Sequence, residues 1–221
     1  MNTGTTQTIS ILGEQLELLP DKVIYWRSKR MLILADLHMG KAGHFQKNGI
    51  PVPDSVNQTN LQKLERVFSQ YDVAECLILG DLFHNELNYE WQLFADWLEG
   101  INGDIRFALV RGNHDRLPAF IYEKADLKTV PEFICDPFVM IHDPEERSAA
   151  AYKGYYALTA HVHPSVIVRG KGLQRLRLPC FYFSHDHAIL PAFGSFTGTH
   201  AIQPKENDSV FVIADETVTK V

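Results

Sequence analysis

Short apolar runs that stop abruptly at polar residues recur along the first two thirds of the chain. "LILA" runs into Asp36 and His38, and "LIL" into Gly80 and Asp81. "FALV" leads to Gly112, Asn113, His114 and Asp115, "FVMI" to His142, and "ALTA" to His161 and His163. Runs this short, apolar at every position, read as strands buried on both faces. Between the early ones lie amphipathic patterns. Residues 54–72 place Leu61, Leu64 and Phe68 on one helical face, with Asp54 near the N-cap. Residues 88–100 do the same with Trp91, Phe94, Ala95 and Leu98, and Gly100 is the expected stop. A short helix is expected over 117–125. The N-terminal stretch reads as antiparallel strands, one pair turning at Gly13 and the next at the basic turn 27–30. From about residue 128 strand signals dominate, as in 138–143, 156–163, 165–170, 176–183 and 209–215. No repeat, linker or low-complexity tract interrupts the chain. The pattern predicts one domain over residues 1–221 with two packed sheets flanked by helices, an α/β sandwich.

Composition narrows the class without naming a chemistry. The chain has 221 residues, 45% hydrophobic and 22% charged, as an ordinary globular protein does. No apolar run reaches the roughly 18 residues of a membrane span, and the first residues lack a secretory pattern. A cytoplasmic protein without membrane contact is therefore expected. The three cysteines are far apart, and Cys76 and Cys180 fall inside apolar runs, so buried free thiols are expected. The net charge of -6 argues against a broad nucleic-acid-binding surface. A phosphate-bearing substrate would need local positive charge, from bound metal or a basic patch.

The polar strand ends supply that chemistry. In open α/β sheets ligands gather beyond the carboxyl ends of strands. Five such ends bring Asp36, His38, Asp81, Asn113, His142, His161 and His163 toward one rim. Strand periodicity would make Asp36 with His38, and His161 with His163, each present two groups together. Carboxylates and neutral imidazoles suit manganese, iron, zinc or cobalt. Seven donors are too many for one ion but suffice for two if one carboxylate bridges. Asp81 is the candidate bridge, because it follows a small glycine. Two such ions clamp a phosphate and activate a water. A single strand-end histidine is commonplace, and "GNHD" alone is an ordinary turn. Five such endings in one order are not.

This ordered set resembles the calcineurin-like metallophosphoesterase superfamily over roughly residues 31–165. The resemblance implies a four-layer α/β/β/α sandwich of the metallophosphoesterase type. It implies one divalent ion on Asp36, His38, Asp81 and His163, and a second on Asp81, Asn113, His142 and His161. It implies that His114 is no ligand but contacts the phosphate and protonates the leaving oxygen, with Asp115 orienting it. The chain departs from the family pattern in two places. Ala160 stands where the family usually has glycine, and "IHDP" lacks a glycine after His142. "GDLFHNE" lacks the extension of the protein Ser/Thr phosphatases and looks more like a nuclease branch, in which His84 would position the scissile phosphate. "ADLHMGKAGHFQKNGIPVP", "LPCFYF" and "LPAFGSFTGTH" are similar to the ligase-associated DNA damage response endonuclease family (PdeM-type). That similarity implies DNA as substrate, DNA repair as context, and a DNA ligase, a helicase and an exonuclease as functional partners.

Three functions follow, in order. The first is a phosphodiesterase or endonuclease on DNA with two transition ions, manganese before iron, zinc or cobalt. Lys41, Arg169, Lys171, Arg175 and Arg177 would meet the DNA backbone in an open groove. The second is a phosphoesterase on a nucleotide or cyclic nucleotide, which needs a closed pocket. The third is a non-catalytic scaffold, which would be marked by lost ligands, and none is lost.

Overall fold

A computed structural model describes residues 4–40, 56–83, 89–101, 103, 105–148, 150–169, 175–195 and 197–221. Lys41, Asp54, His84 and Lys171 lie outside the described residues.

The first sheet follows chain order. β1 (Gln7–Ile11), β2 (Glu14–Leu19), β3 (Val23–Trp26) and β4 (Met31–Ala35) pair antiparallel in turn. β5 (Glu75–Leu79), β6 (Arg106–Val110) and β7 (Leu127–Val130) then add parallel to β4. Parallel neighbours need crossovers, and helices supply them. These are α1 (Val56–Gln70), α2 (Tyr89–Ile101) and α3 (Ala119–Lys124). α1 buries Leu61, Leu64 and Val67, and α2 buries Trp91, Phe94 and Leu98. Each such side chain contributes about 2 kcal/mol of transfer free energy. Together with Leu32, Ile78, Leu109 and Tyr122 they form the core on the outer face of this sheet. α2 runs one residue past Gly100, which is therefore inside the last turn rather than its stop.

The second sheet uses β8 (Phe133–Cys135), β9 (Phe138–Met140), β10 (Tyr156–Thr159), β11 (Pro164–Arg169), β12 (Arg175–Phe183), β13 (His187–Ile189) and β14 (His200–Ala201). Their order is β14-β11-β12-β13-β10-β9-β8. β15 (Ser209–Ala214) pairs with β12 and carries β16 (Thr217–Lys220). Leu77, Leu79, Ala108 and Val110 of the first sheet meet Met140, Leu158, Phe181 and Phe211 of the second in a shared core. The two sheets flanked by helices match the expected sandwich. Its fourth layer is thin among the described residues. Short 3-10 turns at Pro144–Ser148 and Ala150–Tyr152 lie there, and Tyr152 and Tyr155 pack on Val139, Ile141 and Ala157.

The three cysteines are free, with Cys76 and Cys180 buried. Burial pushes the Cys180 thiol up to about 12. Among the described residues no helix is long and apolar enough to cross a membrane.

Candidate metal centre

Parallel pairing carries the five strand ends to one rim. β4, β5 and β6 end side by side in the first sheet, and β9 and β10 in the second. The chain stays paired just beyond the first two. Asp36 N–H donates to Gly80 O at 3.2 Å, His38 N–H to Asp81 O at 2.9 Å, and Met39 N–H to Leu82 O at 2.8 Å. The polar residues have left the strand conformation. Asp36, His38, Asp81, His161 and His163 all have left-handed backbones, with φ between 49° and 67°. A non-glycine residue there costs about 1–3 kcal/mol, which persists only where the surroundings enforce it. Strand periodicity therefore does not set which side chains meet.

Two groups form. Asp36, His38 and His163 bring one ligand atom each within 4.8 Å of one another, and Asp81, His142 and His161 do the same. Asp36 and His38 share a group, and His161 and His163 divide between the two, as the family resemblance implies and strand periodicity does not. In the first group, His38 Nε2 and His163 Nε2 are 3.2 Å apart, and Asp36 Oδ2 is 3.5 Å from His163 Nε2. In the second, His142 Nε2 and His161 Nδ1 are 3.1 Å apart. Asp81 joins them: Oδ1 lies 3.6 Å from His142 Nε2, and Oδ2 lies 4.0 Å from His38 Nε2. One carboxylate thus turns one oxygen to each group.

The donor set fits divalent cations. Asp36 and Asp81 are almost fully buried carboxylates. Asp36 Oδ1 has no hydrogen-bond partner, although its other oxygen accepts from His161 N–H at 3.1 Å. A buried carboxylate oxygen left unpaired is costly unless a cation meets it. Ring tautomers point the same way. His163 Nδ1 lies 3.0 Å from Gly198 O, and His142 Nδ1 lies 3.2 Å from Leu79 O. A carbonyl only accepts, so each Nδ1 carries the proton and each Nε2 offers a lone pair to its group.

Three glycines leave room for this packing. A Cβ at Gly80 would overlap the His142 ring, and one at Gly112 would overlap Asp81 Oδ1. A Cβ at Gly194 would lie 2.6 Å from Leu37 O, where no side chain fits. Ala160 is fully buried, and its N–H donates to His142 O at 2.9 Å, so its methyl is accommodated beside the second group.

The "GNHD" turn closes the rim from β6. His114 N–H donates to Asp81 Oδ1 at 3.0 Å, and the His114 ring stands 5.9 Å from the His38 ring. Asp115 is buried, and burial pushes its carboxyl up to about 6. Its oxygens accept from Gly112 N–H at 2.8 Å and Phe83 N–H at 3.2 Å. These hydrogen bonds make Asp115 a brace of the turn that carries His114. Asn113 is exposed on the same turn.

Residues 193–195 and 197–200 form a supporting strap that the hydrophobic pattern does not reveal. Phe193 N–H donates to Ala35 O at 2.8 Å and Gly194 N–H to Asp36 O at 3.2 Å. Thr197 Oγ1 donates to Gly194 O at 2.9 Å, Gly198 O holds His163, and His200 N–H donates to His163 O at 2.9 Å. This strap grips the backbone or ring of two of the three residues in the first group. Its only signal in sequence was the motif "LPAFGSFTGTH".

Arg169, Arg175 and Arg177, three of the five basic residues expected to meet DNA, lie on the β11–β12 hairpin. β11 and β12 pair so that Arg169 faces Arg175 and Ile167 faces Arg177. Directly opposed residues project to one side, so the three arginines form one basic face beside Ile167. Val168 and Leu176 alternate to the other side. Arg177 Nη1 also donates to Thr199 O at 3.2 Å, next to the carbonyl that holds His163.

Comparison with known proteins agrees with this geometry. The family model for calcineurin-like phosphoesterase matches residues 29–187. The chain is similar to the crystal structure of Pseudomonas putida nuclease MPE, with 31% identity and a TM-score of 0.82 over 98% of this chain and 100% of that one. That likeness is consistent with the ligase-associated branch. A protein of unknown function from Aquifex aeolicus matches at 16% identity and TM-score 0.39, over 65% of this chain and 82% of that one. Vps29 from Chaetomium thermophilum matches at 14% identity and TM-score 0.38, over 83% of this chain and 81% of that one. No curated protein sequence matches the chain. A family model spanning well over half the chain, together with paired Asp/His groups at the expected strand ends, shows that the chain belongs to the calcineurin-like phosphoesterases, metal-dependent hydrolases of phosphoesters.

Proposed function

We propose that the protein is a two-metal phosphodiesterase that cleaves DNA during repair, with manganese as the working ion. The observation that carries the two-metal reading is Asp81, whose two oxygens face two separate groups. Asp36, His38, Asp81 and His163 would hold one ion, and Asp81, Asn113, His142 and His161 the other. Ions there would supply positive charge for the phosphoryl oxygens and lower the pKa of the attacking water. The protein's own residues do the rest. His114, tied to Asp81 through its backbone, stands at the rim and would turn its ring toward the leaving oxygen to protonate it. Asp115 keeps that turn in place. Arg169 and Arg175 draw the DNA backbone along the hairpin. DNA as substrate is supported by the likeness to a nuclease and by this basic face on an otherwise acidic chain. On this reading the functional partners are a DNA ligase, a helicase and an exonuclease.

Manganese-loaded protein should be assayed side by side on single-stranded DNA, duplex DNA and bis-p-nitrophenyl phosphate. Cleavage of the small diester without any DNA cleavage would sink the DNA reading. His114→Ala should lose about 10²- to 10⁴-fold in rate on a poor leaving group and much less with p-nitrophenolate, which leaves unprotonated. Equal losses on both would mean that His114 binds phosphate and donates no proton.

A further inference from the structure

A cavity of about 420 Å³ lies outside the metal centre but on the same rim. Its walls are the β2–β3 turn with Asp21 and Lys22, α1 with Lys63 and Arg66, and Phe193 and Ser195 of the strap. Its place follows from register. Ile24 pairs with Ile33 in antiparallel β3 and β4, so Lys22 stands level with Ala35, the residue before Asp36. Phe193 is bonded to that same Ala35. The cavity therefore sits one strand across from the first ligand group.

Its charges are unevenly matched. Arg66 is paired with Asp21. Lys63 and Lys22 are half-buried, and neither is paired with a described carboxylate. Lys63 instead holds its ammonium 4.1 Å from the centroid of the Phe193 ring. Burial, followed by repulsion from Lys22, pulls Lys63 down to about 7, and burial lowers Lys22 as well. Asp215 and Glu216 also line the cavity, from the β15–β16 turn. Six charged side chains thus line it, three cations and three carboxylates, yet neither Lys22 nor Lys63 is in an ion pair with a described carboxylate. Two ammonium groups taken from water without a counter-charge are costly, and an anion is the partner both lack.

We infer that this cavity is a second phosphate site, which takes a backbone phosphate of the DNA at a distance from the scissile one. The inference rests on the DNA reading above. A phosphate oxyanion entering here would meet Lys22 and Lys63 together and leave the Asp21–Arg66 pair intact. A strand engaged at the metal centre and in this cavity would be fixed in direction along the rim. A small diester reaches only the first of the two.

Two variants test this. Lys63→Met keeps the stem over Phe193 and removes the charge. Lys22→Asn removes the other charge, and asparagine tolerates the left-handed backbone found at Lys22, where φ is 66°. Binding of a fluorescein-labelled single-stranded oligonucleotide is followed by anisotropy in EDTA over a salt series, beside bis-p-nitrophenyl phosphate hydrolysis and metal content in manganese. The double variant should bind DNA about tenfold more weakly, and its salt slope should flatten by about 0.7 for each phosphate no longer neutralised. Small-diester turnover and metal content should not change. Wild-type affinity and slope in the variant would overturn the inference and leave the DNA reading standing. Wild-type protein that neither binds nor cuts DNA would overturn both. Loss of inorganic phosphate binding by calorimetry, with DNA affinity and slope intact, would assign the cavity to a free phosphate instead and overturn the DNA inference.

Discussion

The two ligand groups do similar chemistry but are supported differently. The Asp81, His142 and His161 group is held from within the strand ends that carry it. Leu79 O fixes His142, and Gly80 and Gly112 open the space for His142 and Asp81. The Asp36, His38 and His163 group is held from outside. Its brace is the strap of residues 193–195 and 197–200, which grips Asp36 through Gly194 and His163 through Gly198. The lesson is that a residue can be vital to the centre in either of two ways. It can leave room beside a ligand within its own motif, or it can reach a ligand from a distant part of the chain.

That difference can be broken from both ends. Gly80→Ala drives a methyl into His142 and adds left-handed strain, with φ at 67°. Gly194→Ala drives one into Leu37 O. Each variant should lose one ion selectively, with metal affinity down by at least the roughly 10- to 100-fold that follows when a group orienting a ligand is removed. Calorimetric titration with manganese checks this. Gly80→Ala should retain the site on Asp36, His38 and His163, and Gly194→Ala the site on Asp81, His142 and His161. Simultaneous loss of both ions in either variant would mean that the groups are not independently supported.

A smaller effect separates the two roles on the hairpin. Arg177 holds Thr199 O beside the strap carbonyl that orients His163, while Arg175 faces Arg169 alone. Arg175→Glu should weaken DNA cleavage and spare bis-p-nitrophenyl phosphate. Arg177→Ala should slow both, the small diester by up to about fivefold, the worth of one partly exposed hydrogen bond. Equal behaviour of the two variants on the small diester would remove Arg177 from the support of His163.

The same contrast explains what the sequence made legible. The β4, β5 and β6 ends could be read because each buried run stops at its polar residues, and parallel pairing carries them to one rim. β9 and β10 followed the same rule in the second sheet. The split of His161 from His163 came only from the family resemblance and not from strand periodicity, because both sit beyond the strand with left-handed backbones and period-two logic ends at Thr159. β7, β8, β13, β14 and β16 have two to four residues each, too few to show a period. The strap escaped for a different reason. It acts through backbone N–H and C=O groups, which every sequence has, so only its glycines and its motif marked it. The acceptance by Asp115 of the Gly112 and Phe83 N–H groups was likewise not legible, because those donors are backbone groups that every sequence has.

The central claim is that Asp81 bridges two ions, one on each group. The most direct measurement is manganese stoichiometry by elemental analysis of desalted wild-type and Asp81→Asn protein. Asparagine keeps the shape and an oxygen for His114 N–H, but a neutral amide cannot serve two cations. The account predicts two ions per wild-type chain and a loss at both sites in the variant. Two ions retained by Asp81→Asn, or the loss of only one, would contradict it.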